Sequence, residues 1–267
     1  MRISNQTFHF GQPARRLFGV LELPSRNIRA GLVLCPPFGD EMVSTYAALA
    51  RWSKQLAQRG IAVLRFHPFG TGESDGTFAD FTLQGALSDL SEAVSYLCIH
   101  TGLARVGLFG VRFGGFLAAQ FAQATSLDFL LLWSPITSSR QYFRSLLRMR
   151  LTAELIYLQT REVKTTTERM VEEFQAGRSV DILGNEFSAE LFHQMTAALS
   201  WPERVSTPRV LWLSRPADGP QPASLAQKWV SPGCKAECQC LPEAPFWEEL
   251  SRIFPERFAK ASEAWLI

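Results

Sequence analysis

Val106-Gly107-Leu108-Phe109-Gly110-Val111-Arg112-Phe113-Gly114-Gly115-Phe116 is the stretch on which the fold turns. The apolar run Val106 to Phe109 reads as a strand, and a helix with small residues, Ala118 and Ala119, is predicted from Phe116 to Ala124. Between them, Gly110 and Gly114 permit a sharp, strained turn that raises the central residue, Arg112, above the end of the strand.

Outward from this turn, short apolar runs alternate with helical patterns, the arrangement of a mostly parallel sheet flanked by helices. Strands are expected at Arg16 to Leu23, Gly31 to Cys35, Ile61 to Phe66, Leu127 to Trp133, Arg209 to Leu213 and Glu237 to Leu241. Helices are expected at Ser44 to Arg59, Leu83 to His100, near Ser224 to Val230, and from Phe246 onward, with a loop from Pro36 to Met42. From Thr137 to about Ser206 the strand signal gives way to charged helical patterns, too long a gap for an ordinary loop. The expected architecture is therefore an α/β-hydrolase fold, with a core at 1–136 and 207–267 and a helical cap insertion at 137–206.

That fold's hydrolases carry serine at the centre of G-x-S-x-G, followed along the chain by an acid and a histidine. Here Arg112 takes the serine position, and a guanidinium has five donors but no lone pair for attack. Asp218 stands in the acid's place, after the strand Arg209 to Leu213. The loop after Glu237 to Leu241 reads Pro242-Glu243-Ala244-Pro245-Phe246-Trp247, and none of the four histidines (His9, His67, His100, His193) falls in it. Without nucleophile and base, ordinary Ser-His-Asp hydrolysis has no proton path.

What the elbow offers instead is a candidate anion site. The backbone N–H of Phe113 and one from Phe38-Gly39 would stand as oxyanion-hole donors beside a fixed positive charge. Against this, Arg112 paired with Asp40, Glu41 or Glu243 would be a salt-bridged plug. Arg140, Arg144 and Arg148 fall four apart on one helical face, either a solvated stripe or a second set of anion contacts above the elbow. His67, after the fourth strand, is a packed loop residue or a displaced base, and Ser44, Ser74 and Ser134 lie near strand ends without a visible base. The aromatic ending, Phe246-Trp247 and Trp265, reads as packing against the sheet.

These residues resemble the exosortase A system-associated hydrolases of the second type, within the serine aminopeptidase-like α/β-hydrolase superfamily. The likeness rests on Cys35-Pro36-Pro37-Phe38-Gly39-Asp40-Glu41-Met42, on Gly70 to Gly76, and on an elbow in which that group also carries arginine. Leu132-Trp133-Ser134-Pro135, Gln141-Tyr142, Leu146 to Arg150 and Pro245-Phe246-Trp247 extend it; Val43-Ser44-Thr45 and Ser134 depart from the group's pattern. The resemblance implies a bacterial setting linked to exopolysaccharide production and protein sorting.

Composition bounds the partners. With 27 Lys+Arg against 25 Asp+Glu, a net charge of +2 supplies no field for nucleic acid. No apolar run reaches the roughly 18 residues of a membrane span, and Met1 to Arg16 lacks a signal-peptide core, so a cytoplasmic chain is expected. The five cysteines, Cys35, Cys98, Cys234, Cys238 and Cys240, read as reduced core thiols rather than disulfides or a zinc site; neither metal nor cofactor is expected. The leading expectation is a non-catalytic or non-hydrolytic binder of an anionic small molecule. A hydrolase using His67 or Ser44, and a protein-interaction scaffold, are the alternatives.

Overall fold

The computed structural model describes residues 3–157, 165–197, 200–248 and 253–267. The chain opens with β1 (Ile3–Gln12), β2 (Arg15–Pro24) and β3 (Ala30–Cys35), then α1 (Gly39–Gln58), β4 (Ile61–Phe66), α2 (Leu83–Thr101) and β5 (Gly107–Val111). It continues through α3 (Phe113–Phe121), β6 (Leu130–Trp133), α4 (Ser139–Tyr157), α5 (Thr167–Gln175), β7 (Val180–Ile182), β8 (Asn185–Phe187) and α6 (Ala189–Thr196). The last elements are β9 (Arg209–Ser214), α7 (Gln221–Lys228), β10 (Lys235–Cys240) and α8 (Glu256–Leu266).

The main sheet has the order β1-β2-β4-β3-β5-β6-β9-β10. Its β1–β2 and β2–β4 pairs are antiparallel and the others parallel. This is the α/β-hydrolase fold that the alternation predicts. The parallel strands are buried on both faces, and so they read as continuous apolar runs. One face is covered by α1 and α8 through Ala48, Leu49, Trp52, Leu56, Phe258 and Ala259. The other is covered by α2 and α3, in one apolar cluster with Phe143, Phe174 and Phe192 from the elements between β6 and β9.

Several sequence boundaries shift. The strand β1 was not predicted; its exposed, polar-rich outer face hides the period of a hairpin partner. Helix α1 begins at Gly39, five residues before the expected Ser44, because Gly39 takes φ 59 and the acidic Asp40 and Glu41 suit a helix's first turn. Glu41 is thereby a helical residue, not a loop one. The closing helix starts at Glu256 rather than Phe246, which lies in a turn; 249–252 lie outside the described residues. Within the expected insertion, 158–164 and 198–199 are likewise outside, and the described part contains the unpredicted hairpin β7–β8. Arg150 Nη1 holds that hairpin to α4 by a 3.0 Å bond to Asp181 Oδ1. Cys240 is exposed and Cys98 and Cys238 half-buried, not core, because β10 is an edge strand and Cys98 sits late on α2; Cys35 and Cys234 are buried. Among the described residues no helix is long and apolar enough to cross a membrane, and no group of three or more His, Cys, Asp or Glu is placed to hold a metal.

Candidate functional site

The turn from β5 into α3 is built by two glycines that cannot be replaced without moving backbone. A Cβ on Gly110 would stand 2.4 Å from the Gly114 carbonyl oxygen, and one on Gly114 would stand 2.2 Å from that of Cys35. Arg112 caps α3 with φ 52 and ψ −120, a conformation that costs a non-glycine residue roughly 1–3 kcal/mol. Its carbonyl accepts from the N–H of Gly115, Phe116 and Ile136, which fixes the elbow against the segment after β6.

The Arg112 side chain turns toward α1. Its Nε donates to Glu41 Oε1 at 3.1 Å and its Nη1 to the Ser134 carbonyl at 3.4 Å; among the described residues Nη2 donates to no protein acceptor. The guanidinium also lies 4.8 Å from the Trp247 ring centre, and Arg215 lies 4.4 Å from the same ring. The indole therefore sits between two cations, in the loop where histidine was sought, an arrangement favoured by the ring quadrupole. Trp247 was expected to serve packing alone; its place after β10 was the available signal.

Of the three carboxylates proposed as partners, Glu41 is the one found. Glu243 instead accepts from the N–H of Arg257 (2.8 Å) and Phe258 (3.2 Å) and so anchors the first turn of α8. Burial pushes the Glu41 carboxyl up, opposed by the Arg112 charge beside it. Tyr142, on α4, has its phenol held well above the usual range by burial and by Glu41, and so stays neutral. Its hydroxyl is buried beside the Glu41 carboxylate, and neither it nor Glu41 Oε2 has another partner among the described residues.

Asp218, in a short 3-10 turn after β9, lies where the acid was expected and is fully engaged. Its Oδ2 accepts from Ser134 Oγ at 2.7 Å and from the Arg215 N–H at 2.8 Å. Ser134, at the end of β6, adopts φ 38 and is almost wholly buried.

Two clefts meet at Arg112, and both are lined by Arg112, Tyr142 and Ser145. The first, about 270 Å³, is the more polar: Ser134, Thr137, Ser138, Gln141, Asp218 and Gln221 line it together with Pro135, Ile136 and Pro222. Trp212 also lines it, with an indole N–H that has no partner among the described residues. The second, about 460 Å³, lies between α1, α4 and the β7–β8 hairpin, with apolar walls from Phe38, Leu146, Met149, Leu183, Phe187 and Trp247. Asp40, Glu41 and Glu248 supply its acidic edge, with Gly39 at the start of α1.

Phe38, a wall of the second cleft, stacks edge to face on Phe113 at 4.4 Å beneath the elbow. Other sequence candidates lie elsewhere. Arg140 donates to the Thr196 carbonyl at 2.9 Å. Arg144 and Arg148 border a separate groove with Glu168 and Glu172, so the arginine face of α4 does not meet Arg112. Tyr142, Ser145 and Met149, on the other face of that helix, do. His67 is packed beside Phe18 and Tyr46 and lines neither cleft. Its Nδ1 accepts the Glu73 N–H at 3.1 Å, and burial holds its basicity below the ordinary value. Ser74 Oγ is spent on the His67 carbonyl at 2.6 Å, and Ser44 lines neither cleft.

Sheet order, elbow and acid-bearing turn define an α/β-hydrolase-fold protein. The family described as serine aminopeptidase, S33, matches residues 26–208, and the chain belongs to it. No curated protein matches the chain. Among solved structures it is similar to ferulic acid-bound Est1E from Butyrivibrio proteoclasticus, with 17% identity over 97% of each chain and a TM-score of 0.62. It is also similar to proline iminopeptidase from Mycobacterium smegmatis, with 16% identity over 98% of this chain and 97% of that one, TM-score 0.59. A third is DcsB in complex with its substrate analogue, with 14% identity over 98% of each chain and a TM-score of 0.65. At such identities the likeness is one of fold.

Proposed function

We propose that the chain binds a small anionic molecule at Arg112 and does not hydrolyse through its elbow. The bacterial, exosortase-linked setting implied by the sequence resemblance belongs to the same reading, as does a cap at 137–206 over the site. The observation that carries it is the placement of a permanently charged guanidinium at the elbow, bordering both clefts, with no acceptor for Nη2 among the described residues. Function drawn from fold alone would be analogy, and Arg112 stands at the elbow position on which the analogy depends. Calorimetric titration with butyl phosphate tests the reading. Saturable binding that weakens roughly ten- to hundredfold in Arg112→Ala supports it, and equal affinity in both proteins removes it.

A second reading, a hydrolase with a displaced nucleophile, is favoured by one contact: the 2.7 Å bond from Ser134 Oγ to Asp218, inside the polar cleft. His67 and Ser44 have no comparable support, since neither borders a cleft at Arg112.

A further inference from the structure

The two clefts differ in chemistry and share a charged junction, and that contrast specifies more than an anion. On the polar side, Thr137, Ser138 and Gln141 present hydroxyl and amide groups. One buried donor there, the Trp212 indole N–H, has no acceptor among the described residues. Buried donors left unpaired are costly, so an oxygen-rich group seated in this cleft recovers what the protein leaves unmet. On the other side the walls are Phe38, Leu146, Met149, Leu183 and Phe187, and among the described residues Arg112 is the one cation lining it. Met149 is 49% exposed, an apolar side chain left facing the opening.

Charge sets the direction in which a ligand would lie. Asp40 and Glu248 edge the apolar cleft and repel an anion there, while Asp218, the acid of the polar cleft, is charge-paired with Arg215 at 3.5 Å. Resting on the reading of Arg112 as an anion anchor, we propose that the ligand is a singly headed anionic amphiphile. Its phosphate- or carboxylate-bearing head lies in the Ser134–Gln141 cleft against Arg112, and its alkyl or acyl chain lies in the cleft under the β7–β8 hairpin.

The test is a calorimetric series of n-alkyl phosphates, butyl to decyl, below their micelle concentrations. It uses the native chain, Arg112→Ala, and the double variant Met149→Gln/Leu183→Asn, whose folding is checked by thermal melts. Leu183 has φ 54, a conformation that asparagine accepts readily, so that substitution does not strain the hairpin. The expected result is a native affinity rising roughly two- to fourfold per methylene, flattened in the double variant, with every member weakened in Arg112→Ala. A flat series whose binding still depends on Arg112 overturns the amphiphile and leaves the anion site standing. A rising series indifferent to Arg112→Ala overturns the anion site and this inference with it, as does no binding by any member.

Discussion

Two of the molecule's arginine–glutamate pairs, Arg65–Glu22 and Arg112–Glu41, are built for different ends. Arg65 Nη2 meets Glu22 Oε1 at 3.2 Å between neighbouring strands, with the glutamate fully buried and the arginine side chain 11% exposed. Asn5 and Ser53 complete that network, the Tyr46 ring lies 5.3 Å from the guanidinium, and the space beside it is about 20 Å³, too small for a ligand. Arg112 and Glu41 are 3.1 Å apart with side chains 21% and 16% exposed, and two clefts open on them. Each pair leaves one carboxylate oxygen unpartnered, so incomplete hydrogen bonding does not separate them. Adjacent space does: one pair is closed in by protein, and the other faces volume that protein does not fill.

The largest effect should come from the enclosed pair. Arg65→Met strands the Glu22 charge, and we expect a loss of about 3–5 kcal/mol in denaturant-measured stability, with butyl phosphate affinity unchanged in the fraction that folds. Arg112→Ala should reverse the balance, costing about 1–3 kcal/mol of stability while removing most of the binding. If Arg112→Ala proved as destabilising as Arg65→Met, the pair at the elbow would be a plug like the other.

A smaller effect tests the linkage of Glu41. Burial raises its carboxyl above the ordinary 4.5, so the folded chain holds a proton that the unfolded chain has released. That contribution is full below the ordinary value and lost as pH rises through the raised one. Stability measured against pH should therefore fall for the native chain relative to Glu41→Gln from about pH 4.5 upward. A difference that grew with pH would mean that the attraction of Arg112 outweighs burial. The smallest effect should follow Arg144→Ala, which removes an exposed charge from the face of α4 turned away from the elbow: stability within about 0.5 kcal/mol and no change in binding.

The sheet was legible because its buried strands are short, apolar and punctuated by glycine and proline, and Ile61–Phe66 falls where the pattern puts it. The elbow was legible because Gly110 and Gly114 carry a steric demand that few other sequences meet. Side-chain partners were less so. Three carboxylates were equivalent candidates for Arg112, and the choice of Glu41 depends on α1 starting at Gly39, a shift of helix start that periodicity does not resolve. On α4 the pattern of charge left two readings of Arg140, Arg144 and Arg148 open, and packing decides between them: Arg144 and Arg148 border a separate groove, while Tyr142, Ser145 and Met149 on the opposite, less polar face line the clefts at Arg112. Trp247 packs into the core as its sequence suggests, and only the fold brings Arg112 and Arg215 beside its ring, because their approach depends on contacts between distant segments.

The claim that the elbow binds instead of reacting is tested most directly by intact-mass detection of fluorophosphonate labelling, run on the native chain, Arg112→Ser and Ser134→Ala. The account expects no adduct on the native protein over a time course that labels a serine hydrolase completely. A stoichiometric adduct on the native chain, lost in Ser134→Ala, would contradict it and establish the Ser134–Asp218 contact as a nucleophile and its base.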